Sequence, residues 1–576
     1  MVGIEVRNSS QESPETQVTE ICPLGTDAKE AATENRFWNI PRKEATIVSG
    51  HEGVLLGASP NPKLNSKLSL IVGSKPRPKA GPRADAKTAP QANAKTARTK
   101  PKLGLRAWME RTLEECDRAA AGFEADPVHD LRVALRRCRS LADGLMVLDP
   151  NSSWKEMKKS GRKLFRGLGE LRDMQVMQEW IKKLGAADDP VVVKLLSHVH
   201  AREAECKQLA WRDLNQFDRK RWAHWSRTLP QRAARVRPGS VVYLHLAVEK
   251  WKAAYELHKR AMRTRSQVAL HELRIGIKRF RYTVENFLPQ QHEQWGRDLK
   301  ELQDVLGEVH DLDVLWATAL SIGAFPDLES RKRWREKLNL ERNRRVQRYR
   351  EMMIGKKSLW RVWRAELPAG PQLRAAAMSR LRVWASYLDP DFSHTQRVVK
   401  LSTQLYDGLN ACSVWGEEPE DAREILQAAS FMHDVGKAGG PEKHEKKSFR
   451  AIRALVPPMG WSARELELAA VVARFHRGSL PRSRGKALQH LALPDRRVAM
   501  QLAGVLRLAI ALDPRNGIAP KLNVEMRDNI CLVESAGYAP LDRSAEKIAA
   551  ARHLLETVLR RPVLVKALPV ADRIRP

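Results

Sequence analysis

The sequence is short of cysteine, of long apolar runs and of acidic side chains. Six cysteines are scattered through 576 residues without a CxxC pair. That excludes a disulfide framework and suits a reduced, cytoplasmic setting. The longest apolar stretches, such as 241–248, fall far below the roughly 18 residues of a membrane span, so no transmembrane helix is expected. The first 50 residues lack an apolar core flanked by basic charge, so no signal peptide is expected. Acids are outnumbered: Asp and Glu total 68 against 101 Lys and Arg, a formal charge of +33. Such an excess calls for a polyanionic partner: nucleic acid, an anionic membrane surface or a phosphate polymer. What is present is otherwise ordinary globular usage, 43% hydrophobic and 29% charged, which excludes a wholly disordered chain.

Length gives a prior of about three to four domains, and composition divides the chain. Residues 1–102 read as a poorly ordered basic leader. Lys75–Lys102 is rich in Lys, Arg, Pro, Ala and Thr, with almost nothing large and apolar to offset its ordering entropy. From 103 to 370 apolar residues recur at three and four, punctuated by Asp149-Pro150, Asp189-Pro190 and Pro238-Gly239. Residues 371–576 continue as helices to about 518. Short alternating stretches at 523–526, 530–533 and 563–565 then surround a helix near 544–560, a small α+β appendage. The expected class is mainly all-α.

The middle region repeats itself. Val128–Arg139 (VHDLRVALRRCR) recurs 142 residues later as Leu270–Arg281 (LHELRIGIKRFR). A second pair follows each copy: Leu168–Asp173 (LGELRD) and Leu306–Asp311 (LGEVHD). At 100° per residue, His129, Arg132, Arg136 and Arg139 share one arc, beside the apolar arc of Leu131, Leu135 and Cys138. His271, Arg274, Lys278 and Arg281 repeat it beside Leu273, Ile277 and Phe280. Lys155, Lys159 and Arg162 line another basic arc. Solvated basic faces normally carry interleaved acids. These arcs lack them and occur twice, so an anion is the expected relief of their mutual repulsion. Guanidinium and ammonium groups suit phosphate oxygens.

These segments resemble the CHAD family, over roughly residues 103–365. The repeat predicts two related helical halves packed about a pseudo-twofold, and the resemblance implies two four-helix-like halves around a basic pore or groove that binds inorganic polyphosphate. It would place His129, Arg132, Arg136, Arg139, His271, Arg274, Lys278 and Arg281 along that groove, with Lys155, Lys159 and Arg162 extending it.

Beyond residue 390 a second constellation stands out: His394, the pair His433-Asp434 within MHDVGK (432–437), His444, His476 and Asp513. Imidazole nitrogen with carboxylate oxygen suits a divalent ion such as Mn, Mg, Fe or Co. His433 and Asp434 are expected at the edge of one helix, with His394 and Asp513 supplied by others. Lys437, one turn from His433, would offer a cation to a substrate phosphate. The ordered set resembles the HD metal-dependent phosphohydrolases, and more closely the C-terminal HD domain of the exopolyphosphatase/guanosine pentaphosphatase family. The likeness is carried by Phe392–Val399, Ala429–Lys437, Arg474–Arg477 and Val505–Asp513 over about 372–576. It implies His394, His433, Asp434 and Asp513 as metal ligands, with His444 and His476 as an extra pair for a second ion, and Asp434 and Lys437 in catalysis. Lys447 stands where relatives commonly have His. No glycine-rich phosphate loop of an actin-like domain precedes this region, so exopolyphosphatase activity does not carry over.

The leading expectation is a cytoplasmic, polyphosphate-binding protein, associated with polyphosphate granules, carrying a metal-dependent phosphohydrolase domain for a nucleotide or other phosphorylated substrate. The alternative is a non-enzymatic polyphosphate scaffold whose HD domain is structural or regulatory. Nucleic-acid binding ranks lower. Trp154, Trp222, Trp225, Trp251 and Trp334 lie among the basic helices, but at spacings that suit core packing, and no nucleic-acid motif accompanies them.

Overall fold

The computed structural model describes residues 104–568, apart from 416–419, 483–484, 515–516, 537 and 542. The expected leader, 1–102, lies outside the described residues. The first half-repeat comprises α1 (Leu105–Ala120), α2 (Ala125–Leu145), α3 (Ser152–Leu184), α4 (Pro190–Asn215) and α5 (Arg219–Ala233). The second comprises α6 (Val241–Thr264), α7 (Gln267–Phe287), α8 (Pro289–Ser321), α9 (Leu328–Met353) and α10 (Leu359–Ala365). Each half therefore has five helices, one more than the resemblance implied. Matching helices agree in length: 21 residues in α2 and α7, 33 in α3 and α8, 26 in α4 and α9.

The turn signals act as read. Asn151, Asp189 and Asp327 cap α3, α4 and α9 by accepting from backbone N–H groups of the first turn, and Pro190 opens α4. Asp149 takes the Trp154 indole N–H at 2.8 Å and two bonds from Arg232, pinning its loop. Leu131, Leu135 and Cys138, with Leu273, Ile277 and Phe280, are all buried in one continuous core. The apolar arcs thus dock as their periodicity requires.

The halves meet through equivalent helices, α2 on α7 and α3 on α8, the arrangement of a pseudo-twofold. Gly144 permits the first crossing: a Cβ there would lie 2.4 Å from the Phe287 ring. Arg137 pairs with Glu285, and Asn286 donates to Ser140 at 2.9 Å, across the same seam.

A second core follows. It is built from α11 (Gly370–Leu388), α12 (Phe392–Ala411), α13 (Ala422–Met432), a 3-10 turn (Val435–Gly439), α14 (His444–Arg453), α15 (Ala463–Arg474) and α16 (Leu493–Ala511). The expected appendage is present. Strand β1 (Leu522–Arg527) pairs antiparallel with β2 (Ile530–Ser535), and β2 pairs parallel with β3 (Val563–Ala567), after α17 (Arg543–Leu559). Asp528 and Asn529, both at positive φ, make the tight hairpin turn.

The two cores are joined by polar contacts. Arg380 of α11 binds Glu249 of α6 at 2.7 Å, and the same carboxylate accepts from Met459 N at 3.3 Å. His245 Nε2 donates to the Met459 carbonyl at 2.8 Å, and Tyr387 OH to that of Arg232 at 2.8 Å.

Candidate functional sites

Along the α2–α7 seam the basic arcs face a common centre. Arg132 donates to the Phe165 carbonyl at 3.2 Å and lies 4.9 Å from the Phe165 ring centroid; Arg139 lies 4.8 Å from the same ring. Arg136 and Arg281 sit 5.8 and 5.9 Å from the Tyr282 ring. These stacked guanidiniums are half-buried and held apart by aromatic faces. Arg281 is also 3.7 Å from Glu285 on its own helix, which spends part of its charge.

Arg274 and Lys278 have Asp173 and Asp311 as their acidic neighbours. The Arg274 Nε is buried without a hydrogen-bond partner. Burial, then the charges of Arg274 and Arg136, push the Lys278 ammonium down to about 7. Arg136 also repels Arg274, and Asp173 attracts Arg132, Arg274 and Lys278 alike. Groups from both repeats therefore share one electrostatic centre. His129 stands at the exposed edge of α2, and partial desolvation of its ring, then Arg172 and Arg136, lower its pKa. His271 packs on His310, with Nδ1 atoms 3.4 Å apart.

The second motif pair supplies residues not singled out above. Arg172 and Asp173, with their equivalents His310 and Asp311, lie among the cations. Burial raises the Asp311 carboxyl to about 6 despite Arg274, and drives His310 down to about 3. The signal was the repeated LGExxD itself. Lys159 and Arg162 line a cleft of about 550 Å³ between α3 and α4, with Lys163, Arg166 and Arg212. Lys155 is exposed on the same helix.

In the second core, α13 ends at Met432, and His433 is its C-cap. His433 and Asp434 therefore stand at a helix end that passes into the 3-10 turn, rather than on a continuing helix. Gly436 makes that turn fit: a Cβ there would lie 2.2 Å from the His444 carbonyl oxygen and 2.5 Å from Ser448 N. The Ser448 hydroxyl accepts from Gly436 N at 2.9 Å and donates to the His433 carbonyl at 2.7 Å. Gly436 and Ser448 thus lock α14 onto the turn.

Three histidines make the same backbone contact. His433, His444 and His476 donate Nδ1–H to the carbonyls of Ser430, Pro441 and Ala473 at 2.8, 2.9 and 2.7 Å. Each carbonyl lies three residues upstream. That fixes the tautomer and turns each Nε2 lone pair inward. His394, placed on α12 by its Asp391 cap, gives Nδ1–H to Asp513 at 2.7 Å. All four Nε2 atoms surround Asp434. His433 and His394 lie 3.3 and 3.9 Å from Oδ2; His444 and His476 lie 3.1 and 3.9 Å from Oδ1.

Asp513 stands behind His394 instead of among these ligand atoms, with Arg397 holding both its oxygens at 2.6 and 3.0 Å. Burial would raise the Asp513 carboxyl, but Arg397 and His394 outweigh it and hold it below its ordinary range. Lys437 pairs directly with Asp434 Oδ2.

The donor set fits a divalent cation. His394, His433 and Asp434 form one group of potential ligands, and Asp434, His444 and His476 another. The Nε2 atoms of His444 and His476 face each other at 3.2 Å, with no hydrogen between them once both rings are neutral and Nδ1-protonated. His433 Nε2 is buried without a hydrogen-bond partner. Lone pairs and a carboxylate converging in a buried space call for positive charge. Burial alone would raise Asp434; His433, His444 and His476 reverse this and hold its carboxyl below the usual carboxylate range.

Comparison with known proteins matches the two regions separately. Residues 104–320 match the CHAD domain family, and residues 377–539 match Ppx/GppA phosphatase, domain III. Among solved structures the chain is similar to the CHAD domain from the plant Ricinus communis, at 20% identity and a TM-score of 0.32, covering 46% of this chain and 90% of that one. No curated protein matches. The chain thus carries a CHAD domain followed by a domain III of the Ppx/GppA phosphatase type, the two resemblances borne by its repeat and its histidine–aspartate motifs.

Proposed function

We propose that the chain binds inorganic polyphosphate along the α2–α7 groove and holds divalent metal at the Asp434 cluster, where it hydrolyses a phosphate ester or anhydride. The observation that carries the first part is the shared centre of Arg132, Arg136, Arg274 and Lys278, whose mutual repulsion an extended polyanion relieves. For the second it is the convergence of four Nε2 atoms on one carboxylate. His394, His433 and Asp434 would hold one ion, and His444 and His476 a second across Asp434, with Asp513 orienting His394. Bound metal supplies a lowered water pKa and polarised phosphoryl oxygens. The chain's own part is to fix the imidazole tautomers, exclude bulk water and keep Lys437 beside the carboxylate. Cytoplasm, including polyphosphate granules, is the location that goes with this ligand.

A non-catalytic reading is favoured by one contact, the Lys437 ammonium on Asp434, which places a cation where a metal ligand atom is needed. Metal analysis of full-length protein, with phosphate release from polyphosphate, pyrophosphate and nucleotides, decides. Hydrolysis that disappears with metal in Asp434→Ala, with the helical spectrum unchanged, supports the enzyme. Stoichiometric metal without turnover on any substrate supports the scaffold.

A further inference from the structure

We propose that an aromatic cleft between α6, the end of α9 and α10 binds a free nucleotide, its base against the aromatic wall and its phosphates on an arginine rim. The cleft holds about 600 Å³, within the range of small-ligand sites. Its wall is a stripe at i, i+4 and i+7 of α6. Trp251 and Tyr255 stack at 5.1 Å and 13°, and Tyr255 and His258 at 5.9 Å and 21°. Trp360 of α10 meets Trp251 and Tyr255 edge-on at 6.0 and 5.5 Å. Tyr349 OH fixes His258 Nδ1 at 2.8 Å, so the wall is rigid. Sequence-tolerant stacking on such faces suits a nucleobase.

The rim gives the charge. Arg361 is exposed, and Arg364 lies 5.7 Å from the Trp251 ring, with one nitrogen tied to the Leu367 and Pro368 carbonyls at 2.9 and 3.3 Å. The lining contains no carboxylate, which disfavours a cationic guest and suits phosphate.

The repeat shows that the fold does not require this wall. A shift of 142 residues takes Trp251, Tyr255 and His258 to Met109, Leu113 and Cys116 of α1. There Trp222, first of a W-x-x-W pair matched by Trp360 and Trp363, donates its N–H to the Met109 carbonyl at 3.1 Å, and the 15-residue α5 packs on α1. In the second half α10 has 7 residues, and the aromatic stripe is left half-uncovered. The earlier expectation that the tryptophans serve core packing holds for Trp154, Trp222, Trp225 and Trp334, which are buried; Trp251 is only half-buried.

This reading is independent of the metal cluster and the groove, and its test isolates it from both. ATP and AMP are titrated calorimetrically into full-length Asp434→Ala protein that also carries Arg136→Gln and Lys278→Gln to weaken the groove. Both nucleotides are expected to bind and to quench tryptophan fluorescence. Trp251→Leu and the exposed Arg361→Glu are each expected to weaken ATP about tenfold. Unchanged affinity in Arg361→Glu overturns the proposal, even where Trp251→Leu fails to fold. So does the absence of nucleotide binding in that triply substituted protein, or binding confined to single-stranded oligonucleotides.

Discussion

Gly436 and Lys278 show how much rests on single positions. Gly436→Ala leaves every candidate ligand in place but drives a methyl group into the His444 carbonyl and Ser448 N, so α14 must move. Metal content is expected to fall as far as in Asp434→Ala while the groove still binds polyphosphate; elemental analysis beside a binding assay checks this. Lys278 sits at about 7, chiefly through burial, with Arg274 and Arg136 adding repulsion and Asp311 opposing it. The unfolded chain keeps the ordinary lysine value near 10.5. Stability conferred by the neutral amine is therefore present at high pH and lost as pH falls toward 7. Binding of a polyanion has the reverse sign, because the bound state wants the ammonium. Affinity is expected to weaken up to about tenfold per pH unit above 7. Protonation of Asp311, near 6, strengthens binding further on the acid side. Lys278→Arg, charged throughout, flattens the alkaline limb; calorimetry from pH 6 to 9 tests it.

At the scale of helices, α2 and α7 bear the proposed phosphate contacts, so affinity should fall steeply with salt as counterions are released. Neutralising Arg136 and Lys278 together, as Arg136→Gln and Lys278→Gln, should lower the log–log salt slope by about two while circular dichroism stays unchanged. Glutamine replaces them because both side chains are half-buried, where reversed charge would also strain the fold. Helical periodicity made these arcs legible, since the 100° rule separates Leu131, Leu135 and Cys138 from Arg132, Arg136 and Arg139 before any packing is known. Periodicity does not report which neighbour a face meets. Lys159 and Arg162, read as extending the groove, line a cleft whose other wall is α4. The break after Met432 was also hidden: MHDVGK continues a helical pattern, and the close approach of α14 to Gly436 is a tertiary contact that the pattern does not report. Asp513 was legible as part of the cluster but not in its place behind His394, because spacing names a ligand type and not its order of contact.

The described residues from 104 to 568 form one compact unit, and the junction at Arg380, Glu249, His245 and Met459 helps two cores behave as one. Arg380→Ala leaves Glu249 without its cation and should split a single denaturant transition into two, with a loss of about 1–3 kcal/mol for the coupling. Unfolding followed by tryptophan fluorescence and by metal release would show the two steps separately. The pseudo-twofold has a consequence of another kind. A groove built from two matching halves repeats its charges about a pseudo-twofold, Arg132 and Arg136 from one repeat, Arg274 and Lys278 from the other. Linear polyphosphate has no head or tail along its interior, whereas a nucleic-acid strand has a direction. A polymer without polarity can thread such a groove in either sense with almost equal energy. The small differences between the halves, lysine for arginine at 278 and histidine for arginine at 310, are then what would set a preferred sense of travel for a chain end.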